Sequence, residues 1–268
     1  MRFGVCGSSV VPGSSGVEII ERASKAGYDY VELSLSHISA FTEETFAAFR
    51  ARVKDSGLPC EACNNFFPPS VRLTGPEVRW SAVQDYTRLA LGRAWALGAR
   101  VIVFGSSGAK NVPPGFAMEK ALDQIVAALR FVAQEAGPRG ITIVIEPLNR
   151  QESNIVNNLT EALALMGRVD RPEVRVLVDY YHFALERDTP EALRQAGPHL
   201  RHAHVARVEG RTYPTGEDPG MRAFFRHLSS VGYDTRVSIE GATADFDRDG
   251  PRSVSVLRGM ASAGSPSG

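Results

Sequence analysis

The chain has 268 residues, of which 30 are Lys or Arg and 30 are Asp or Glu, so its formal charge is zero and composition offers nucleic acid no basic face. Hydrophobic residues make up 43%, enough for a sizeable core, while the longest apolar runs, such as Ile141 to Ile145, have strand length and argue against a bilayer span. The N-terminal Met1-Arg2-Phe3-Gly4 lacks the long apolar stretch of a secretion signal, which predicts a cytoplasmic location.

Short β-rich runs alternate with segments of helical period. The expected strands are Arg2–Cys6, Tyr28–Leu33, Pro59–Asn64, Arg100–Phe104, Ile141–Glu146, Arg175–Asp179, Arg201–His204 and Arg236–Glu240. Helical period covers Gly16–Ala26, Thr42–Ser56, Glu77–Leu97 and Met118–Ala136, and Gly27, Gly57 and Gly98 stand where the first three should stop. Thr42-Glu43-Glu44-Thr45 and Thr189-Pro190-Glu191 supply N-caps and acidic first turns. Eight strands alternating with helices leave an open doubly wound sheet or a closed barrel. The count, and the lack of a glycine-rich phosphate loop after the first strand, favour a single (β/α)8 TIM barrel over residues 1–260. Gly105-Ser106-Ser107-Gly108 lacks P-loop spacing and reads as a tight active-site loop. The tail 261–268, rich in Ala, Ser, Gly and Pro, is expected to be disordered.

The odd set Cys6, Cys60 and Cys63 argues against a disulfide framework. Cys60 and Cys63 form a C-x-x-C, but strand positions three apart face opposite sides, so both are expected as separate buried thiols. Phe66-Phe67-Pro68-Pro69 reads as an exposed apolar segment, suited to close over a site or meet a neighbouring subunit.

In a barrel, the residues ending each strand converge at the C-terminal mouth. Four consecutive strands run apolar until one polar group appears: Glu146, Asp179, His204 and Glu240. Three converging carboxylates and an imidazole need a cation to offset desolvation and mutual repulsion. This donor set suits Mn2+ best, with Co2+ or Mg2+ next. His202 shares a face with His204 and is expected one layer deeper as a supporting donor. His182 falls three residues after Asp179, within reach of a substrate oxygen, and His37 stands where it would line the mouth. His199 and His227 receive no role.

The motifs Ile145-Glu146-Pro147-Leu148-Asn149-Arg150-Gln151-Glu152, Val178-Asp179-Tyr180-Tyr181-His182, His202-Ala203-His204-Val205 and Ile239-Glu240-Gly241 resemble those of the sugar isomerase/epimerase superfamily with the xylose-isomerase-like barrel, especially its ketose 3-epimerases. The resemblance implies that Glu146, Asp179, His204 and Glu240 ligate the metal, that Glu146 and Glu240 form the acid/base pair, and that Glu152 and His182 contact substrate. It further implies a small sugar substrate and a homodimer or homotetramer. Two positions depart from it. The arginine such epimerases place six residues after the metal histidine falls at Gly210, leaving Arg211 or Arg207 to replace it as a substrate contact. Cys6-Gly7-Ser8-Ser9 also lacks the aromatic bulk those enzymes carry there.

The chemistry follows from the residues. Proton removal beside a carbonyl needs a base and stabilisation of the enediolate, which a Lewis-acidic metal supplies. Return of the proton to the opposite face inverts a carbon, return to the neighbouring carbon isomerises an aldose and a ketose, and loss of hydroxide dehydrates. The ligand set alone does not separate these outcomes; with the resemblance, a metal-dependent epimerase or isomerase of a ketose or related derivative is the expected function. The rivals are a lyase or dehydratase acting on a keto-sugar, keto-inositol or oxidised glycoside, and a non-catalytic sugar-binding subunit. A DNA endonuclease on a related barrel would want a basic face and more histidines than this chain offers.

Overall fold

The chain's structure, a computed structural model, describes residues 1–264. Eight parallel strands close in sequence order into a barrel: β1 (Arg2–Cys6), β2 (Tyr30–Ser34), β3 (Cys60–Asn64), β4 (Val101–Phe104), β5 (Thr142–Ile145), β6 (Val174–Asp179), β7 (Leu200–Val205) and β8 (Arg236–Ile239). Helices follow the strands and wrap the outside. The helix Met118–Ala136 has the expected bounds, and Thr42 and Thr189 cap their helices by accepting the Thr45 and Ala192 N–H groups. The second strand begins and ends later than expected, which brings Ser34 into it. The last helix, Phe246–Gly264, corrects the expected tail, because 261–264 continue its turns; 265–268 lie outside the described residues. Among the described residues no helix is long and apolar enough to cross a membrane.

Strand alternation sorts side chains into two cores. One set faces out and packs the barrel against its helices, with Val5, Val31, Leu33, Ile143, Ile145, Val176, Val178 and Ile239 among its members. The inward set forms a small cluster of Tyr30, Ala62, Val101, Val103, Val144 and Leu177 that plugs the interior. Tyr30 fits because its neighbour across β1 is Gly4, where a β-carbon would overlap the tyrosine ring. Above this plug the inward positions turn polar, with Glu32, Ser238, His202 and His204 fully buried.

Two local expectations are overturned. The Cys60 and Cys63 sulfurs lie 3.9 Å apart rather than on opposite faces. Val31 pairs with Cys60 and Glu32 with Ala62, so Glu61 is an extra residue in β3, and this bulge resets the alternation. Both thiols are free and buried. Phe66 and Phe67 are also buried rather than exposed, packed at tilted and edge-on angles against Tyr86 and Phe104. The Phe66 carbonyl accepts from Tyr86 Oη at 2.6 Å and the Phe67 N–H donates to Ser106 Oγ at 3.0 Å, which makes this segment a fixed wall.

Candidate metal centre at the barrel mouth

Glu146 and Glu240 follow β5 and β8 directly, Asp179 ends β6, and His204 lies one residue before the end of β7. One ligand atom from each falls within 4.8 Å of all the others. His204 Nδ1 lies 3.2 Å from Glu146 Oε1 and 3.5 Å from Glu240 Oε2. Three carboxylates around one imidazole nitrogen form a hard, oxygen-rich set with one borderline donor, and the residues fit a single divalent ion.

The surroundings orient each group. Asp179 caps the helix Tyr180–Leu185 by accepting the Tyr181 N–H on Oδ1, which leaves Oδ2 for the site. Asn64 donates to Glu240 Oε1 at 3.0 Å, and Glu146 packs against Gly105, where a β-carbon would overlap its Oε2. The Gly105–Gly108 segment is thus a close-approach loop beside the site. Gly105→Ala should displace the Glu146 carboxylate and lower kcat/KM about 100-fold, with the melting temperature little changed; steady-state kinetics beside thermal unfolding checks this.

The two glutamates sit in opposed fields. Burial pushes the Glu146 carboxyl up, and the Glu240 charge pushes it the same way. Burial would raise Glu240 too, but the Arg211 guanidinium and His204 outweigh it and hold Glu240 at about 2. Carboxylates whose environments separate them this way suit opposite proton-transfer roles.

Arg211 reaches the site, whereas among the described residues the Arg207 side chain makes no hydrogen bond or ion pair with these groups. The Arg211 guanidinium lies 2.5 Å from Glu240, 3.4 Å from Asp179 and 3.3 Å from Glu152, over the Tyr181 ring. Consecutive left-handed residues, Gly210 at φ 69° and Arg211 at φ 49°, give the loop the turn that carries the arginine in from one position later. Glu152 also accepts from Asn149 Nδ2 at 2.9 Å. His182 is buried in the first turn of its helix; the Asn149 N–H donates to its Nδ1 at 3.2 Å, so the ring proton is on Nε2, on the side of Asp179. His37 is held by Ser34, with Nδ1 2.8 Å from the hydroxyl, and among the described residues makes no hydrogen bond to the four candidate ligands. His202 lies deeper than His204, and its Nε2 meets Glu32.

Four contributors escaped the sequence reading: Glu32, Asn64, Gly105's contact with Glu146, and Lys110. Lys110 is fully buried and donates to the Glu146 carbonyl at 3.3 Å; burial pulls its ammonium down to about 8 against the opposing pull of Glu146 and Glu152. Glu32 carried the available signal, a charge inside an apolar run, but it stands in mid-strand rather than at a strand end.

A closed eight-stranded parallel barrel with acidic groups and a histidine gathered at its C-terminal mouth defines a barrel-mouth enzyme of the (β/α)8 class. The chain belongs to the xylose isomerase-like TIM barrel family, whose model matches residues 20–259. It is 28% identical to D-psicose 3-epimerase of Agrobacterium fabrum over 207 residues, covering 75% of this chain and 70% of that protein. It is 24% identical to 3-dehydro-D-guloside 4-epimerase of Escherichia coli over 249 residues, covering 90% and 92%. Its fold matches the crystal structure of D-allulose 3-epimerase from Methylomonas sp. in complex with D-allulose, with a TM-score of 0.85, 21% identity and 97% of each chain covered. With sugar epimerases as its curated relatives, the chain is an enzyme of the epimerase/isomerase kind.

Proposed function

We propose that this chain is a metal-dependent epimerase of a ketose or keto-sugar derivative that inverts the carbon next to a carbonyl. The observation that carries this reading is the pair Glu146 and Glu240, brought together with Asp179 around His204 at the barrel mouth. Glu146, Asp179, His204 and Glu240 would hold a divalent ion, for which Mn2+ suits the donors best, and the ion would supply electrophilic stabilisation of negative charge developing beside the carbonyl. Ionised Glu240 takes the proton from the carbon on one face, and protonated Glu146 returns one to the opposite face; the roles exchange in the reverse direction. Glu152, the His182 Nε2–H and Arg211 offer hydrogen bonds to substrate oxygens and fix the sugar's register.

A second substrate reading, an oxidised glycoside, is supported by two observations. The chain spans 92% of the E. coli 3-dehydro-D-guloside 4-epimerase against 70% of the D-psicose 3-epimerase. The turn after β1, Gly7–Val10, also places only small side chains and one valine where an aromatic would narrow the pocket. The test is incubation of Mn2+-loaded protein in deuterated water with ketohexoses and, separately, with a 3-keto-glycoside. Epimerisation leaves one deuterium at the inverted carbon of an otherwise unchanged sugar. A product lighter by water or by the aglycone would replace epimerisation with elimination, and absence of exchange in both substrates would sink the function.

A further inference from the structure

Glu32 is fully buried in the middle of β2, paired across the sheet with Cys6 of β1 and Ala62 of β3. An inward carboxylate at that depth carries a large desolvation cost unless every oxygen is satisfied. Here His202 Nε2 lies 2.8 Å from Oε2, Ser238 Oγ donates to the same oxygen at 2.6 Å, and His204 Nε2 lies 3.0 Å from Oε1. Ser238 Oγ is in turn 2.8 Å from Tyr30 Oη, which ties the group to the apolar plug below. Its only ion-pair partners among the described residues are the two histidines.

A carboxylate offers acceptors only, so each histidine must present an N–H to it. With a cation at the candidate centre, the His204 proton would stay on Nε2 toward Glu32, and Nδ1, 3.2 Å from Glu146 Oε1 and 3.5 Å from Glu240 Oε2, would be the nitrogen left for the metal. His202 and Ser238 hold the other oxygen, so the carboxylate cannot turn away from His204. Spacings of 2.8 and 3.0 Å from nitrogen to oxygen are those of hydrogen bonds.

We propose that Glu32 is the positioning residue of this centre: bridging His202 and His204, it sets the His204 tautomer so that Nδ1, and only Nδ1, ligates the metal. This rests on the metal reading above and adds to it which atom binds and what aims it.

The test uses the full chain and Mn2+ or Mg2+ alone, without sugar. Wild-type protein should take up one Mn2+ per chain by calorimetry. Glu32→Gln, whose amide brings an N–H into a position that needs acceptors, should bind it about 10- to 100-fold more weakly. Long-range 1H–15N spectra of wild-type protein should show His204 protonated at Nε2, with Nδ1 shifting on Mg2+ addition, a readout that does not depend on the variant folding. Unchanged Mn2+ affinity in folded Glu32→Gln, a Mg2+-dependent shift at Nε2, or a second ion per chain lost with Glu32 would overturn the proposal. Wild-type protein that binds no Mn2+ would instead overturn the metal reading beneath it.

Discussion

Glutamine at position 146 or 240 is expected to lower kcat/KM about 1000-fold or more while unfolding remains cooperative. The exchange keeps the shape of the side chain and removes its capacity to take or give a proton at the working carbon. The two sites should differ in detail. At Glu240 the substitution also removes the negative partner of Arg211, whereas at Glu146 it replaces a carboxyl that burial already pushes toward its neutral form. Metal affinity should fall in both variants, since each loses one carboxylate of the candidate ligand group. Turnover, Mn2+ titration and thermal unfolding of both variants read this out, and unchanged turnover in both would end the acid/base assignment.

Arg211→Gln is expected to destabilise the metal-free protein by about 3 kcal/mol, because it leaves partly buried carboxylates without their cation. The guanidinium contacts Glu240, Asp179 and Glu152 together, and its side chain is 27% exposed. The loss should depend on pH with a definite sign. In the folded chain Glu240 is depressed to about 2 from a usual 4.5; burial opposes the depression and Arg211 leads the groups that cause it. A depressed carboxyl stabilises the fold above its unfolded pKa and loses that contribution as pH falls through the folded value. The gap between wild type and variant should thus be full near pH 6 and shrink as the pH drops toward 2. Urea unfolding at several pH values measures it, and a gap that stays constant on acidification would remove the Arg211–Glu240 pair as its source. Added Mn2+ should stabilise both proteins by mass action, about 2.7 kcal/mol at a free concentration 100 times Kd.

The strands were legible because each apolar run is bounded by turn and cap residues, and Glu146, Asp179 and Glu240 because each closes such a run. Glu32 shows where that rule stops: it stands inside an apolar run rather than at its end, and only closure of the barrel turns it inward. Lys110 sits in Gly108-Ala109-Lys110-Asn111, which has the composition of a solvated loop. Its burial comes from the fold around it, where Thr74 Oγ1 donates to its carbonyl and Arg72 grips the carbonyl of Asn111. Asn64 ends β3 as a neutral amide, and no pattern of charge or periodicity separates it from a turn residue. The cysteine pair was misjudged for a related reason, since a one-residue bulge leaves no mark in the alternation of Cys60-Glu61-Ala62-Cys63.

The left-handed pair Gly210–Arg211 bears on how this pocket can be re-engineered. An arginine delivered by two successive turns of that hand is bound to its own spacing, seven residues beyond His204. Transplanting a loop with the six-residue spacing would send the arginine's chain direction elsewhere, even with every side chain identical. A loop swap meant to keep an arginine over Glu240, Asp179 and Glu152 therefore has to move the segment from Val205 to Thr212 as one cassette. Point changes made within it would report on backbone fit before they reported on recognition.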